Sequence, residues 1–276
     1  MKLGIVTDCH LAPPDRTPSR FHNVYDYPNA RRNFETALVG HVNAGVDAIL
    51  MLGDLANSGD EVHHNLGIEL CDRTGLPVYI VPGNHDCEEG VTALADRIAG
   101  FGAQHVAIPT PGGSLHHGIR IAGLPTNGFD TEANWEISVP EIDSWGTEPV
   151  LVVTHVPVFS TREIAMDAGF QYAGDPQNTA ALGEMLANRT EPTIVVHGHL
   201  HLRHTIVSGA TLQIGFAAVV EPPHANATLE IDIDNLLVTV SHDSVASYDV
   251  EFVPIISPAT QRYRFDGATW IDESPR

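Results

Sequence analysis

Five short segments of this chain carry side chains that can share one reaction centre. They are Asp8-Cys9-His10, Gly53-Asp54, Gly83-Asn84-His85-Asp86, Thr154-His155 and Gly198-His199-Leu200-His201. Each follows an apolar, largely β-branched run: LGIVT, AILML, VYIV, VLVV and TIVV. Runs of that length and composition predict buried strands. In an open α/β sheet, strands of one direction end along one edge, and ligands bind there. The pattern therefore predicts that the five segments converge on one site. In extended backbone Asp8 and His10 point to one side and Cys9 to the other, and His199 and His201 repeat that spacing. Glycine beside Asp54, Asn84 and His199 permits tight turns or positive φ, which lets backbone approach an ion closely. Carboxylate, carboxamide and imidazole together suit Mn, Fe, Co, Ni or Zn better than Ca or Mg. Seven ligands are too many for one such ion. Two ions sharing a carboxylate is the simpler count.

The elements that must position these groups alternate between strand and helix, which predicts α/β architecture. Strands are expected at Leu3 to Val6, Asp47 to Leu52 and Val78 to Val81. Helices are expected from about Asn29 to Ala44, where Phe34, Leu38 and Val42 space an apolar face, from Glu61 to Arg73, and from about Val91 to Ile98. The second half is richer in strands: Val106 to Ile108, Ile119 to Leu124, Val150 to Thr154, Thr193 to Val196, Thr205 to Val207, Thr211 to Ile214, Thr228 to Ile233 and Leu236 to Ser241. One further helix is expected near Thr179 to Leu186. Residues 12–28 and 159–178 read as long loops, and long loops in compact domains are often functional. One domain is expected over residues 1–256, followed by an irregular tail, 257–276, packed on the body or on a partner.

Composition narrows the partners. Fourteen Lys and Arg, only one of them Lys, stand against 35 Asp and Glu, a formal charge of −21 with His neutral. That field repels phosphate backbones and disfavours a nucleic-acid partner. No apolar run reaches the roughly 18–20 residues of a membrane span. The first residues read as a strand rather than a secretory leader, and Cys9, Cys71 and Cys87 are an odd count without zinc-type spacing. These features predict a cytoplasmic chain with a reduced thiol set, and they leave oligomeric state open. Sixteen His exceed the Lys and Arg combined, and His is the commonest metal ligand.

The motifs, taken in order, resemble the calcineurin-like metallophosphoesterases: Asp-x-His, Gly-Asp, Gly-Asn-His-Asp, a lone His, then Gly-His-x-His, spanning residues 8 to 201. The resemblance implies a four-layer α/β/β/α sandwich with two mixed β-sheets and a dinuclear metal site at the strand ends. It implies one ion held by Asp8, His10, Asp54 and His201, and a second held by Asp54, Asn84, His155 and His199, with Asp54 bridging. The ions would be Mn, Fe, Zn or Co, divalent or trivalent. His85 would face substrate instead of metal. The stretch Gly53 to Gly59 looks most like the small-molecule branch, which includes cyclic-nucleotide and glycerophosphodiester hydrolases. The protein phosphatases carry a longer Gly-Asp element and an Arg where this chain has Pro82. The small-molecule branch often has a second His where this chain has Val156. The expected function is hydrolysis of a small phosphodiester, a hydroxide supplied by the ions attacking phosphorus in line. His85 would stabilise the phosphoryl charge or protonate the leaving oxygen, and Asp86 would orient its ring. Alternatives are a phosphomonoesterase or nucleotide pyrophosphatase on the same site, and, in another class, a non-catalytic metal-binding regulatory module.

Outside that set the plainer readings compete. Asn57 and His63 follow the Asp54 turn and are candidate substrate contacts, although a turn residue and a solvated surface or helix-face His are the simpler readings. His22, His64, His116 and His117 read most simply as solvated side chains, and His197 as a hydrogen-bonded structural His. Cys9 should face the core.

Overall fold

The computed structural model describes residues 1–90, 92–127, 136–137, 145–170, 179–250 and 252–275. In the first half, β1 (Lys2–Val6), β2 (Ala48–Met51), β3 (Val78–Ile80) and β4 (Val106–Ala107) alternate with α1 (Tyr27–Asn43), α2 (Glu61–Asp72) and α3 (Ala93–Phe101). The second half holds β5 (Ser114–His116), β6 (Ile119–Leu124), β7 (Thr126–Asn127), β8 (Glu136–Ile137), β9 (Val150–Thr154), α4 (Arg162–Asp167), α5 (Thr179–Ala187) and β10 (Thr193–His197). It closes with β11 (His204–Ser208), β12 (Thr211–Gly215), β13 (Ala225–Asp232), β14 (Leu237–Ser244), β15 (Thr260–Phe265) and β16 (Trp270–Asp272).

Two mixed sheets result. One runs β16-β15-β14-β13-β1-β2-β3-β4, the other β11-β12-β10-β9-β6-β5, with β7 and β8 as a separate ribbon. Neighbours among β1 to β4 are parallel, as are β6, β9, β10 and β12, while β13 to β16, β5 and β11 pair antiparallel. The unbroken apolar runs follow from burial on both faces. Leu50 and Leu52 on one sheet meet Leu151, Val153, Ile194 and Val196 on the other. The intervening Ile49 and Met51 turn outward onto Phe34, Leu38 and Ile68 of α1 and α2. Val150, Val152 and Val195 likewise turn outward onto Leu182 and Leu186 of α5. Helix, sheet, sheet and helix therefore stack in four layers.

Helix starts are local. Pro28 sits in the first turn of α1, where its missing N–H costs nothing. The Asp60 carboxylate accepts the His63 N–H at 3.1 Å and caps α2. Three expectations change. The tail from 257 is not irregular: β15 and β16 extend the larger sheet, and buried Trp270 donates its Nε1–H to the Ala210 carbonyl across the sandwich at 2.8 Å. Residues 159–178 include helix α4, while 171–178 lie outside the described residues. The third helix begins at Ala93, and Val91 also lies outside them. No helix among the described residues is long and apolar enough to cross a membrane.

One buried histidine gives the fold a pH dependence. His41 of α1 lies against β1 where only a glycine fits, since a Cβ on Gly4 would stand 2.5 Å from its ring. Burial pushes the His41 imidazole down to about 4. The unfolded chain takes up its proton near pH 6.5 while the folded chain resists until about 4, so stability present above 6.5 is lost as pH falls through that window. We expect His41→Leu to flatten the pH dependence of urea unfolding between 6.5 and 4 by about 1.4 kcal/mol per pH unit. An unaltered slope would refute this account.

Candidate metal centre

All five motif segments sit where parallel strands end. Asp8 and His10 follow β1, Gly53-Asp54 follows β2 and Asn84 follows β3, all from the larger sheet, while His155 follows β9 and His199 and His201 follow β10 of the smaller one. The larger sheet's pairing continues past the strands. Asp8 N–H donates to the Gly53 carbonyl at 3.1 Å, and His10 N–H to the Asp54 carbonyl at 2.9 Å. Gly198 N–H donates to the His155 carbonyl at 3.1 Å and links the smaller sheet's two segments.

The backbone here is not extended. Asp8, His10, Asp54, His199 and His201 have φ of 52°, 44°, 52°, 65° and 50°, the left-handed region that side-chain-bearing residues seldom adopt. Such positions persist where flanking hydrogen bonds over-determine them, and they concentrate at functional sites. The expected role of the glycines divides accordingly. Gly53 has φ 94°. Gly83 and Gly198 serve close approach, because a Cβ on Gly83 would lie 2.2 Å from Asp54 Oδ1 and one on Gly198 2.5 Å from Asp8 Oδ2.

Seven donors face one another. His10 Nε2 and His155 Nε2 lie 3.5 and 3.3 Å from the same oxygen of Asp54, Oδ2. His201 Nε2 lies 3.3 Å from Asp8 Oδ1. Asn84 Oδ1 meets His155 Nε2 at 3.0 Å and His199 Nδ1 at 3.1 Å. Three groups of ligand atoms fall close enough to hold a metal: Asp8, His10 and His201; Asp8, Asp54 and His155; and His10, Asp54 and His85. A cavity of about 190 Å³ opens over them, lined by His10, Phe21, Tyr25, Asp54, Asn84, His85, His199 and His201. Buried His10 Nε2 makes no hydrogen bond in this arrangement. An orphaned nitrogen facing a carboxylate, within a carboxylate–imidazole–amide set, fits transition-metal ions.

Several predicted roles change on this geometry. His85 lines the cavity, and its Nδ1 is held by the Asn57 carbonyl at 2.8 Å and by Glu88 at 3.3 Å. Asp86 does not orient that ring. Its oxygens accept the Gly83, Leu55 and Ala56 N–H groups at 2.9, 3.2 and 3.0 Å and His64 Nε2–H at 2.9 Å, which ties the Asp54 turn to the Asn84 turn. Asn57 holds His85 by its carbonyl, while its buried side chain is satisfied by Tyr27 Oη and the Arg16 guanidinium. His63 pairs with Asp60 and lines a different cavity, beside Tyr27, Arg31 and Arg32. His64, read as solvated, is fully buried, and Arg97 donates to its Nδ1. His197 is a structural His, its Nδ1 on the Gly198 carbonyl. Cys9 faces the core beside Met51.

Sequence reading missed Glu221, Phe21 and Tyr25. Glu221 is fully buried and accepts from His201 Nδ1 at 2.5 Å. Its signal was an acid placed directly after the apolar run Ala217 to Val220. Phe21 and Tyr25 carried none, since loop aromatics are ordinary.

Comparison with known proteins agrees with this arrangement. The family model described as calcineurin-like phosphoesterase matches residues 1–203. A probable cyclic nucleotide phosphodiesterase of Fibrobacter succinogenes is 30% identical over 101 residues, 36% of this chain and 37% of that protein. A 3′,5′-cyclic adenosine monophosphate phosphodiesterase of Haemophilus influenzae is 23% identical over 182 residues, 63% of this chain and 62% of that protein. The chain thus matches less than two-thirds of either relative's length. A dimetal phosphatase from Danio rerio has the same fold, with a TM-score of 0.68 at 15% identity, over 89% of this chain and 96% of that one.

The metal-free site sorts its imidazoles by charge. Burial holds His10 and His199 down to about 3, so both are neutral. Burial would also lower His155 and His201, but Asp54 raises the first to about 9, while Asp8 and Glu221 raise the second to about 10. Burial would raise Asp54, yet the charges of His155 and His85 and the His155 hydrogen bond hold it well below the usual carboxylate range. Ions captured here must displace the protons of His155 and His201. Metal loading at pH 7.5 should therefore release about two protons per chain, read by calorimetry in buffers of different ionisation enthalpy. Uptake without proton release would show that these two imidazoles stay outside the coordination shell.

Proposed function

Because the chain belongs to the calcineurin-like phosphoesterase family, we propose that it hydrolyses phosphoester bonds and that its substrate is a small phosphodiester. The observation that carries the metal assignment is the approach of both His10 Nε2 and His155 Nε2 to one oxygen of Asp54. In this reading Asp8, His10, Asp54 and His201 hold one ion, and Asp54, Asn84, His155 and His199 hold the other. Two divalent ions bound there supply Lewis acidity and an acidified water, hence a nucleophile near neutral pH.

The chain's own residues supply the rest. Among the described residues the cavity lining contains no Lys or Arg, and in this reading attraction for a phosphate depends on bound ions. A cavity of about 190 Å³ favours a compact ester over a polymer, in keeping with the formal charge of −21. Burial would lower the His85 imidazole, but Asp54 and Glu88 raise it above its ordinary value. With Nδ1 on the Asn57 carbonyl, His85 is set to protonate the leaving oxygen or to stabilise phosphoryl charge from the cavity wall. Asp86 and Asn57 position it by fixing the two turns that carry Asp54 and His85. The diester preference is supported by the names of the two relatives above.

After Mn²⁺ loading, the chain should hydrolyse bis-p-nitrophenyl phosphate faster than p-nitrophenyl phosphate. Activity on the monoester alone would favour a phosphomonoesterase, and activity on neither a binding module. Asp54→Asn should lose both ions together, and metal analysis finding one site at full strength would sink the bridge. His85→Ala should keep both ions while kcat falls about 10²- to 10⁴-fold. Loss of metal in step with activity would make His85 a ligand instead.

A further inference from the structure

The geometry points to Glu221 as a positioning residue that lets the loop over the cavity stay closed while His201 faces an ion. Its two oxygens are used in two directions. Oε1 accepts from His201 Nδ1 at 2.5 Å. Oε2 accepts the backbone N–H of Asn23. Asn23 belongs to a short loop bridged between Arg20 and Val24, whose Tyr25 N–H returns to the Ser19 carbonyl at 2.9 Å. That loop carries Phe21 and Tyr25 into the cavity wall, with their rings 5.1 and 5.6 Å from the His201 ring. One fully buried carboxylate thus joins the candidate ligand to the aromatic wall beside it.

The chemistry requires two acceptors. For His201 Nε2 to face an ion, the ring must keep its proton on Nδ1 and donate it to Glu221. The Asn23 N–H needs the second oxygen at the same time, because a buried donor without a partner is costly. A carboxylate accepts from both at once. An amide of the same shape has one oxygen and one NH₂. In Glu221→Gln the oxygen can serve His201, leaving NH₂ against the Asn23 N–H, or it can serve Asn23, leaving NH₂ to donate to His201 Nδ1 and forcing the ring proton onto Nε2. The first arrangement opens the loop and the second removes the ion's ligand.

The inference rests on His201 being an ion ligand, as proposed above. It is tested by ion count and loop accessibility instead of hydrolysis, so a chain lacking the proposed activity can still pass. Arg20 is exposed, which makes tryptic cleavage of the Arg20–Phe21 bond a reporter of loop opening. The wild-type chain should be cut slowly there with or without Mn²⁺. In Glu221→Gln, two bound Mn²⁺ and a protected loop should never occur together: either the ion held by His201 is lost, or Mn²⁺ loading speeds cleavage about tenfold, the scale of one hydrogen bond to a charged group. A Glu221→Gln chain that binds two ions and is cut as slowly as wild type would overturn the inference. Asn23→Pro, which deletes the N–H together with the 3.4 Å bond from Asn23 Nδ2 to the Pro222 carbonyl and leaves the His201 contact, gives a second arm. It should bind two Mn²⁺ and be cleaved about tenfold faster than wild type, and protection equal to wild type would also overturn the inference.

Discussion

Asp8 and Asp54 are 0% and 2% exposed, at the line where the two sheets end together. A carboxylate so placed is tolerated only when its charge is met and its oxygens are hydrogen-bonded, because its desolvation is otherwise prohibitive. Asp54 is met by His155 and by the His85 N–H at 3.0 Å, and Asp8 by His201, Thr7 Oγ1–H and the His199 N–H. These partners come from four segments of chain, so the sheets must hold the carboxylates and imidazoles in register before any of them is comfortable. The same mutual pairing leaves a dense set of nitrogen and oxygen lone pairs around one cavity. The arrangement that solves the burial of charge is the one that can capture ions.

The geometry is held from behind. Asp86 gathers three backbone N–H groups from the turns after β2 and β3 and is itself fixed by His64, whose tautomer is set by Arg97. Glu221 does the corresponding task on the far side, holding His201 and the loop with Phe21 and Tyr25. Left-handed backbone at five candidate ligands is stable only within such a frame, since each such residue costs on the order of 1–3 kcal/mol taken alone. Site geometry and fold stability therefore share residues: loosening Asp86 or Glu221 acts on both.

Much of this was legible from residue types and order. Apolar runs with polar ends mark the inner strands because those strands are buried on both faces, and each of the five motif segments does close one of them. The edge of the fold was less legible. β15 alternates buried and exposed positions with Arg and Gln among them, and β16 buries Trp270 but exposes Ile271 and Asp272, which reads as a polar tail until β14 supplies a partner to pair with. Side-chain direction was not legible at all. The i, i+2 argument for Asp8 and His10 assumes extended backbone, and the positive φ at both replaces it with a different turn.

The donor atoms, their order along the chain and the strands that deliver them follow from residue type and hydrophobic period, which are local properties. What each group touches follows from the folded chain. Asp86 and His85 are neighbours in sequence, yet one turns inward to brace two loops while the other lines the cavity. Glu221 and Asn23 are 198 residues apart and share one hydrogen bond. Those outcomes depend on the sign of φ at single residues and on contacts closed across most of the chain, and neither is written in any local stretch of sequence.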